Sequence, residues 1–418
     1  MVEALSWHPS KDITKTWGEE LIRKKIILCV TGSAAAFHCP EIARRLMRHG
    51  AEVYAVMSSM SQKIIHPHLM EWATGNPPVT ELTGRIEHIS LLNQRGEQAD
   101  IVLVAPATAN TINKMASGVA DGPVTALAHA ALGAGIPIIV APAMHQTLYV
   151  NTLTLENIEK LRGMGVELVG PRREEGIAKM ANVEDIVEAV IYKLSDKDFS
   201  GLKFLVTAGP TREPIDPIRV ISNRSSGKQG VALAYEARRR GAEVTLIYGP
   251  GAARAPSSIK VVSVDTTEEM FEATLSELRS TRYDVAIAAA AMADYTPEEP
   301  SAVKIQSATV KELGLRLRAT PKLIDEVKRV SPETLLVAFK AEHNVSDEEL
   351  VERGYERLKS SGADLIVVND VARDGVGFQV ETNEVFIVDG DRNVVHVPLS
   401  RKGKVAVEIL NCVKKLLK

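Results

Sequence analysis

At 418 residues the chain exceeds one ordinary hydrophobic core, so two or three domains are expected. Its composition, 45% hydrophobic and 25% charged, is that of a globular protein. A net charge of −3 and only 4% aromatic residues supply neither the basic surplus nor the stacking platform of a nucleic-acid binder. Cys29, Cys39 and Cys412 lie far apart with no CxxC, which excludes a zinc ribbon and a disulfide framework and suits a reducing cytoplasm. No run reaches the roughly eighteen apolar residues of a membrane span. Residues 1–24, which include MVEALSWHPSKDITKTWGEE, lack the apolar core of a signal peptide and are read as an N-terminal extension.

In chain order, KIILCV from Lys25 predicts a buried strand that runs into the small-residue loop TGSAAAF and then a helix from Pro40 to His49. AEVYAVMS, ADIVLVAPATAN and IPIIVAPAMH repeat the form: continuous branched apolar residues, then a loop of small and polar ones. Such strands alternating with helices predict a parallel sheet covered on both faces, with ligands at the carboxyl ends of its strands. The pattern restarts at FLVTAGPT after the polar stretch LSDKDFSGLK. A helix from Gly230 to Arg240 follows, then AEVTLIYGP, YDVAIAAAAMADY, ETLLVAFKAE and ADLIVVND, and EVFIVDGDRNVVHVPL predicts a hairpin about a Gly-Asp turn. The expected class is α/β with two doubly wound parallel-sheet domains, over 25–193 and 203–418, joined by a linker at 194–202.

The densest motif is TAGPTREPIDPIRVISNRSSGKQG, residues 207–230. Gly209 and Pro210 turn the chain after a strand. Asn223, Arg224, Ser225, Ser226, Gly227 and Lys228 lead into a helix whose free amides suit an oxyanion, with Arg219 and Arg224 adding positive charge. A solvated loop with ordinary caps is the plain alternative, but a polar loop this dense between two strong elements more often holds a ligand. With AAAAMADY (288–295), VKI (303–305), FKAE (339–342) and DLIVVND (364–370) following in order, the C-terminal half resembles phosphopantothenate–cysteine ligases. That resemblance implies a Rossmann-like domain that activates the carboxylate of 4'-phosphopantothenate with CTP, as an acyl-cytidylate, before cysteine attacks. Mg2+ accompanies the nucleotide, with no ligands assigned. It places Asp294, Lys304, Pro321, Lys322, Leu323, Ile324 and Phe339 around the nucleotide, and Asn223 on the acyl-cytidylate with Arg219 beside it. Lys304 is expected to meet charge developing on the phosphoryl group. The chain departs from that pattern at Gln306 and Ser307, where the family often has lysine, and at Arg357 and Ser361, which take the places of two expected lysines with Lys359 between them.

TGSAAAF lacks the GxGxxG spacing of a dinucleotide site but suits a phosphate on backbone amides. Together with PATANTINKMASGVAD (106–121) and PAMHQTLY (142–149) it resembles the flavin-dependent cysteine decarboxylases, with their PASANT and PxMNxxMW motifs. The resemblance implies a flavodoxin-like domain that binds FMN through Gly32, Ser33, Ser58, Thr108, Ala109 and Asn110. An isolated histidine is more often structural, but His88, in RIEHISL, matches the family's catalytic histidine. The implied chemistry oxidises the cysteinyl carbon bearing sulfur, releases CO2 beside the resulting thioaldehyde, and reduces the enethiol. The flavin carries the electrons while the protein positions substrate and handles protons.

His145 stands where the family's carboxylate-binding asparagine is expected, and an imidazole retains that capacity. The stretch matching a mobile flap, PRREEGIAKMAN (171–182), has no cysteine; Lys179 or a solvent proton is the expected substitute. Cys39, at a helix start, is either a thiol of lowered pKa or a small packing residue. Joined, the halves resemble the bifunctional coenzyme A biosynthesis family of archaeal type. The resemblance implies small-molecule partners alone and a homo-oligomer: a trimer-based flavin domain and a dimeric ligase domain, combining as a dodecamer. The missing flap cysteine and His145 leave a second reading, a flavin-binding scaffold without turnover beside an active ligase.

Overall fold

A computed structural model describes residues 8–94, 97–174, 177–256, 258–306 and 312–417, and the chain divides into two compact units after Ser195. In the first, strands β1 (Lys25–Val30), β2 (Glu52–Met57), β3 (Ile101–Ala107), β4 (Ile138–Pro142) and β5 (Glu167–Leu168) form one parallel sheet of order β2-β1-β3-β4-β5. This is the flavodoxin-like order, with its switch point between β1 and β3. Successive residues of β1 face opposite sides. Ile26, Leu28 and Val30 meet helices Cys39–Arg48 and Val183–Leu194, while Ile27 and Cys29 share the other core with Ile112, Leu127 and Ile158. Burial on both faces explains why these strands read as unbroken apolar runs. Residues 8–24 belong to this unit, and Leu21 is fully buried in its core.

The second unit opens earlier than the expected linker boundary. Phe199 is fully buried against Phe204, and Asp198 is bidentate to Arg240 at 2.8 and 2.6 Å, so most of 196–202 is folded structure. Its sheet contains β6 (Lys203–Ala208), β7 (Glu243–Tyr248), β8 (Lys260–Ser263), β9 (Val285–Ala288), β10 (Leu335–Glu342), β11 (Leu365–Asp370), β12 (Thr382–Asp389) and β13 (Val394–Arg401). The order is β8-β7-β6-β9-β10-β11-β12-β13, with the hairpin β12–β13 antiparallel at the end of a parallel Rossmann-type array. Helices Lys228–Arg239 and Lys402–Leu416 cover one face, and Thr267–Ser280, Leu323–Val330 and Asp347–Ser361 the other.

One residue type recurs at the amino edge of both sheets. Asp100, Asp284 and Asp364 each stand immediately before a strand and accept the first free amides of its neighbour: Lys25 N at 2.7 Å, Lys203 N at 2.8 Å and Leu336 N at 2.7 Å. The Asp preceding each apolar run in ADIVLV, YDVAIA and ADLIVV is thereby explained, because a strand-end amide without a partner costs about as much as a lost hydrogen bond.

Candidate active sites

In the first unit the expected flavin loops meet at the carboxyl ends of β1 and β3. Buried Thr31 joins them: its hydroxyl donates to Pro106 O at 2.7 Å and accepts from Thr108 N at 3.2 Å. Ser33 caps the short helix Ala34–His38 through Ala35 N, and Thr108 caps Ala109–Ser117 through Thr111 N at 3.3 Å. A Cβ on Gly32 would stand 2.5 Å from Met60 Cβ, so this loop approaches the turn after β2 more closely than any side chain allows. Ser58 opens that turn; its hydroxyl accepts from Ser61 N at 3.2 Å. Ala109 and Asn110 form the first turn of the helix that Thr108 caps. Asn113, one of the polar groups of this loop, instead accepts from Asn157 at 3.1 Å and serves packing. Small residues, close backbone and a helix of nine residues with free N-terminal amides fit a phosphorylated cofactor at this edge.

His88 sits on the four-residue helix Glu87–Ser90. Its Nδ1 is buried and has no hydrogen-bond partner among the described residues. Buried polar atoms are nearly always paired, so this one stands out among the described residues. His145 is exposed and caps the helix Gln146–Tyr149; its Nδ1 lies 2.9 Å from Thr147 Oγ1 and 3.4 Å from Thr147 N. Accepting at Nδ1 puts the proton of a neutral imidazole on Nε2, which leaves a donor for a carboxylate. The stretch matching the flap forms the short strands Arg172–Glu174 and Ile177–Lys179, with residues 175 and 176 outside the described residues. Ala178 O accepts from Met144 N at 3.5 Å, which sets this hairpin beside His145. The notion of an activated Cys39 is overturned: the residue is fully buried, its thiol donates to Ala105 O at 3.1 Å, and burial drives its pKa strongly upward.

Because asparagine also caps helices well, His145→Asn is expected to keep the fold and the turnover of CO2 release. Complete loss of decarboxylation with flavin still bound would mean that this imidazole moves a proton.

The second unit has a cleft of about 610 Å³ at the carboxyl edge of its sheet. Asn223, Asp294, Pro321–Ile324, Phe339 and Arg357 all line it. Asn223 Nδ2 donates to the carbonyls of Ala291 and Met292 at 3.0 Å each, pinning the β9 loop and leaving Oδ1 as its open acceptor. Asp294 pairs with Lys322, and Arg357 with Asp325 at 2.8 Å. Gly227 holds φ +79° at the N-cap of Lys228–Arg239, and a Cβ on Gly230 would stand 2.4 Å from Ala208 Cβ, so the helix end is drawn onto the sheet edge.

Three expected residues stand elsewhere. Ser361 is buried and spends its hydroxyl on Arg357 O at 2.8 Å, so it fills no lysine's place in the cleft. Arg219 pairs with Asp216 at 2.6 Å and donates to Ile305 O at 3.2 Å, so it acts on the backbone of VKI. Lys304 is exposed and outside the cleft lining, while Ser307 lies outside the described residues. Asp216 accepts from Ile218, Arg219 and Ile305 N. Burial pushes its carboxyl upward, but these amides and the Arg219 guanidinium outweigh it and hold the pKa below the usual range. Sequence reasoning missed Lys340, Asn369, Asn383 and Lys402, all cleft-lining. The first two end apolar strands and were findable on that ground; Asn383 and Lys402 carried no such signal.

A flavodoxin-order unit with small-residue strand-end loops, followed by a Rossmann-order unit with a polar cleft, defines a two-headed α/β enzyme. The flavoprotein family model matches residues 15–195, and that described as DNA/pantothenate metabolism flavoprotein C-terminal domain matches 199–417. The chain is 48% identical to the coenzyme A biosynthesis bifunctional protein CoaBC of Thermococcus kodakarensis, over 98% of this chain and 100% of the relative. It is 36% identical to the Methanocaldococcus jannaschii protein of that name, over 98% of each. A solved structure of the C-terminal domain of such a protein aligns at 33% identity with a TM-score of 0.44, covering 53% of this chain and 98% of that one. The chain belongs to the family of bifunctional coenzyme A biosynthesis proteins. It is a flavoprotein with a decarboxylase and a ligase activity, and the scaffold reading of its first half is not favoured. No helix of the described residues is long and apolar enough to cross a membrane.

Proposed function

We propose that the second unit joins cysteine to 4'-phosphopantothenate with CTP, and that the first then decarboxylates 4'-phosphopantothenoylcysteine to 4'-phosphopantetheine on FMN. The observation that carries the ligase reading is the convergence of Asn223, Asp294, Pro321–Ile324, Phe339 and Arg357, from five separate segments, on one cleft. In the ligation, the substrate carboxylate attacks the α-phosphorus and pyrophosphate leaves; the cysteine amine then attacks the acyl carbon and CMP leaves. Asn223 orients the mixed anhydride, and Lys304, which stands outside the cleft lining, meets charge on the phosphoryl group only by moving to the cleft when nucleotide binds. Among the described residues no cluster of three or more acidic, His or Cys side chains forms a metal cage. Mg2+ is taken to accompany the nucleotide phosphates, with no ligands assigned to the chain.

In the first unit FMN, held by Gly32, Ser33, Ser58 and Thr108–Asn110, supplies the two-electron chemistry. His88 handles the substrate proton, His145 binds the carboxylate through Nε2, and Lys179 or a solvent proton serves in place of the flap cysteine, or the last step is slow. A trimer-based flavin domain and a dimeric ligase domain that combine in a dodecamer-like particle complete the proposal. A monomer by light scattering would overturn the assembly.

The test of function supplies phosphopantothenate, cysteine, Mg2+ and CTP or ATP to purified protein, and follows pyrophosphate and CO2 separately. Pyrophosphate release with CTP, CO2 release that needs bound FMN, and bleaching of the flavin by substrate are expected. Absence of pyrophosphate sinks the ligase half, and absence of CO2 when 4'-phosphopantothenoylcysteine itself is supplied sinks the decarboxylase half. Asn223→Asp should keep pyrophosphate release and accumulate acyl-cytidylate. A carboxylate there faces the carbonyls of Ala291 and Met292 and repels the cytidylate phosphate. Equal loss of pyrophosphate and product would remove Asn223 from the transfer step.

A further inference from the structure

Ala293 lies between Met292 and Asp294 on the loop after β9, and three threonines from three other segments hold its backbone. Ala293 N donates to the hydroxyl of Thr211, in the loop after β6, at 2.9 Å. The Thr320 hydroxyl, just before Pro321–Ile324, donates to Ala293 O at 2.6 Å, and Thr320 N donates to Asp294 O at 3.0 Å. The hydroxyl of Thr267, first residue of the helix Thr267–Ser280, also donates to Ala293 O, at 3.4 Å. Thr267 N donates to the Glu213 carboxylate at 2.9 Å. Thr211, Glu213 and Thr267 are all buried, and none of them lines the cleft.

The proton order of this cluster is fixed. The Thr211 and Thr267 hydroxyls stand 2.7 Å apart, and a hydroxyl has one proton to give. Thr267 gives its proton to Ala293 O, so Thr211 donates to Thr267. A closed ring thus runs from Ala293 N through two hydroxyls to Ala293 O, with Thr320 as second donor to that carbonyl. The ring is tied to the opposite side of the loop as well. Thr211 O accepts from Ser222 Oγ at 2.7 Å, and Arg212–Pro214 pairs with Val220–Ser222, the strand that ends at Asn223. Asn223 in turn holds the carbonyls of Ala291 and Met292.

We propose that Thr211 is a positioning residue for ligation: its hydroxyl and its carbonyl together set the spacing between Asn223 and Asp294. The inference rests on the ligase reading for what those two residues bind. Thr211 spends its hydroxyl proton inside the protein, so it acts on the loop and leaves the ligand to its neighbours. Removing that hydroxyl opens the ring at two bonds and leaves Ala293 N buried without a partner. The loop then shifts to satisfy the amide and carries Asp294 with it.

Thr211→Val keeps the shape of the side chain and removes the hydroxyl, whereas Thr211→Ser keeps the hydroxyl. In the full-length protein, well below its unfolding temperature, Thr211→Val should raise the KM for CTP in pyrophosphate release by about five- to tenfold, the size of one net hydrogen bond, while Thr211→Ser stays within about twofold of wild type. A residue that only stabilised the fold would behave differently. A partly unfolded preparation holds fewer active molecules, which lowers kcat and leaves KM where it was. An unchanged KM in Thr211→Val, or an equal rise in Thr211→Ser, overturns the proposal. Thr267→Val opens the same ring at its other hydroxyl and should raise KM in the same direction. It carries the test if Thr211→Val does not fold, and an unchanged KM there overturns the proposal equally. Amide hydrogen exchange needs no turnover: at residues 291–294 it should be at least about tenfold faster in Thr211→Val than in wild type, with Val285–Ala288 unchanged. A wild-type protein that releases no pyrophosphate would fail the functional reading. The exchange comparison would then decide the positioning role by itself, and equal exchange in the two proteins overturns it.

Discussion

Replacing His88 with asparagine should lower CO2 release by at least about a hundredfold, the lower end of what a positioned acid or base contributes. The bound-flavin spectrum and the ligase reaction should stay at wild-type values. Geometry makes this a clean experiment. His88 Nδ1 has no internal partner among the described residues, so the substitution breaks no hydrogen bond of that atom. The helix that carries it is set by neighbours, with the Glu87 carboxylate accepting from Thr83 N at 2.8 Å. An amide can fill the space and offer a donor, but it cannot take up a proton near neutrality. The ligase site lies in the other compact unit, so the two activities should respond independently. CO2 release above about a tenth of wild type would return His88 to a structural role.

The second large effect concerns Lys304. Lys304→Gln should reduce pyrophosphate release by about a hundred- to a thousandfold, as expected for removing a group that meets transition-state charge. Since Asp216 and Arg219 hold the backbone of Ile305, Asp216→Ala should reproduce much of that loss with the lysine still present. Thermal unfolding of the second unit at neutral pH would report that the variant is folded. The folded pKa of Asp216 is depressed. Its contribution to stability is therefore complete above the unfolded carboxylate value, about 4, and is lost as pH falls through the folded value. In Asp216→Ala the acid limb of the stability curve should flatten. Pyrophosphate release retained in Lys304→Gln would remove this lysine from activation altogether.

Much of the architecture was readable because both sheets are buried on two faces. Unbroken runs such as KIILCV and DLIVVND have little alternative to a parallel strand, and their loops ended where ligands of such sheets collect. Strand β8, four residues at the sheet edge with Lys260 and Val261 exposed, has no comparable run and was not anticipated. The helix Thr267–Ser280 announced itself only by a capping box, Thr266 with Glu269, which is a local signal easily passed over. At the sites, motif residues on strand-end loops were found, whereas residues brought in by remote pairing were not. Lys402 reaches the cleft because helix Lys402–Leu416 packs beside Lys228–Arg239, a contact with no trace in local sequence. Ser361 failed for the converse reason. Its place in an aligned motif said nothing about a hydroxyl free to bond its own helix.

The aspartates at the amino edge divide each sheet into two regions with different tolerances. Asp100, Asp284 and Asp364 fix strand register at the end remote from both sites. Loops at the opposite end can lengthen, shorten or change composition without shifting how the strands are paired. A chimera that exchanges only the exposed positions 222–224 for a relative's should therefore melt close to the parent temperature while its chemistry changes. Removing Asp284 should do the reverse, lowering the melting temperature of the second unit with little change in substrate preference. Heat tolerance and catalytic character thus sit on separate ends of the same strands, and selection can adjust one without disturbing the other.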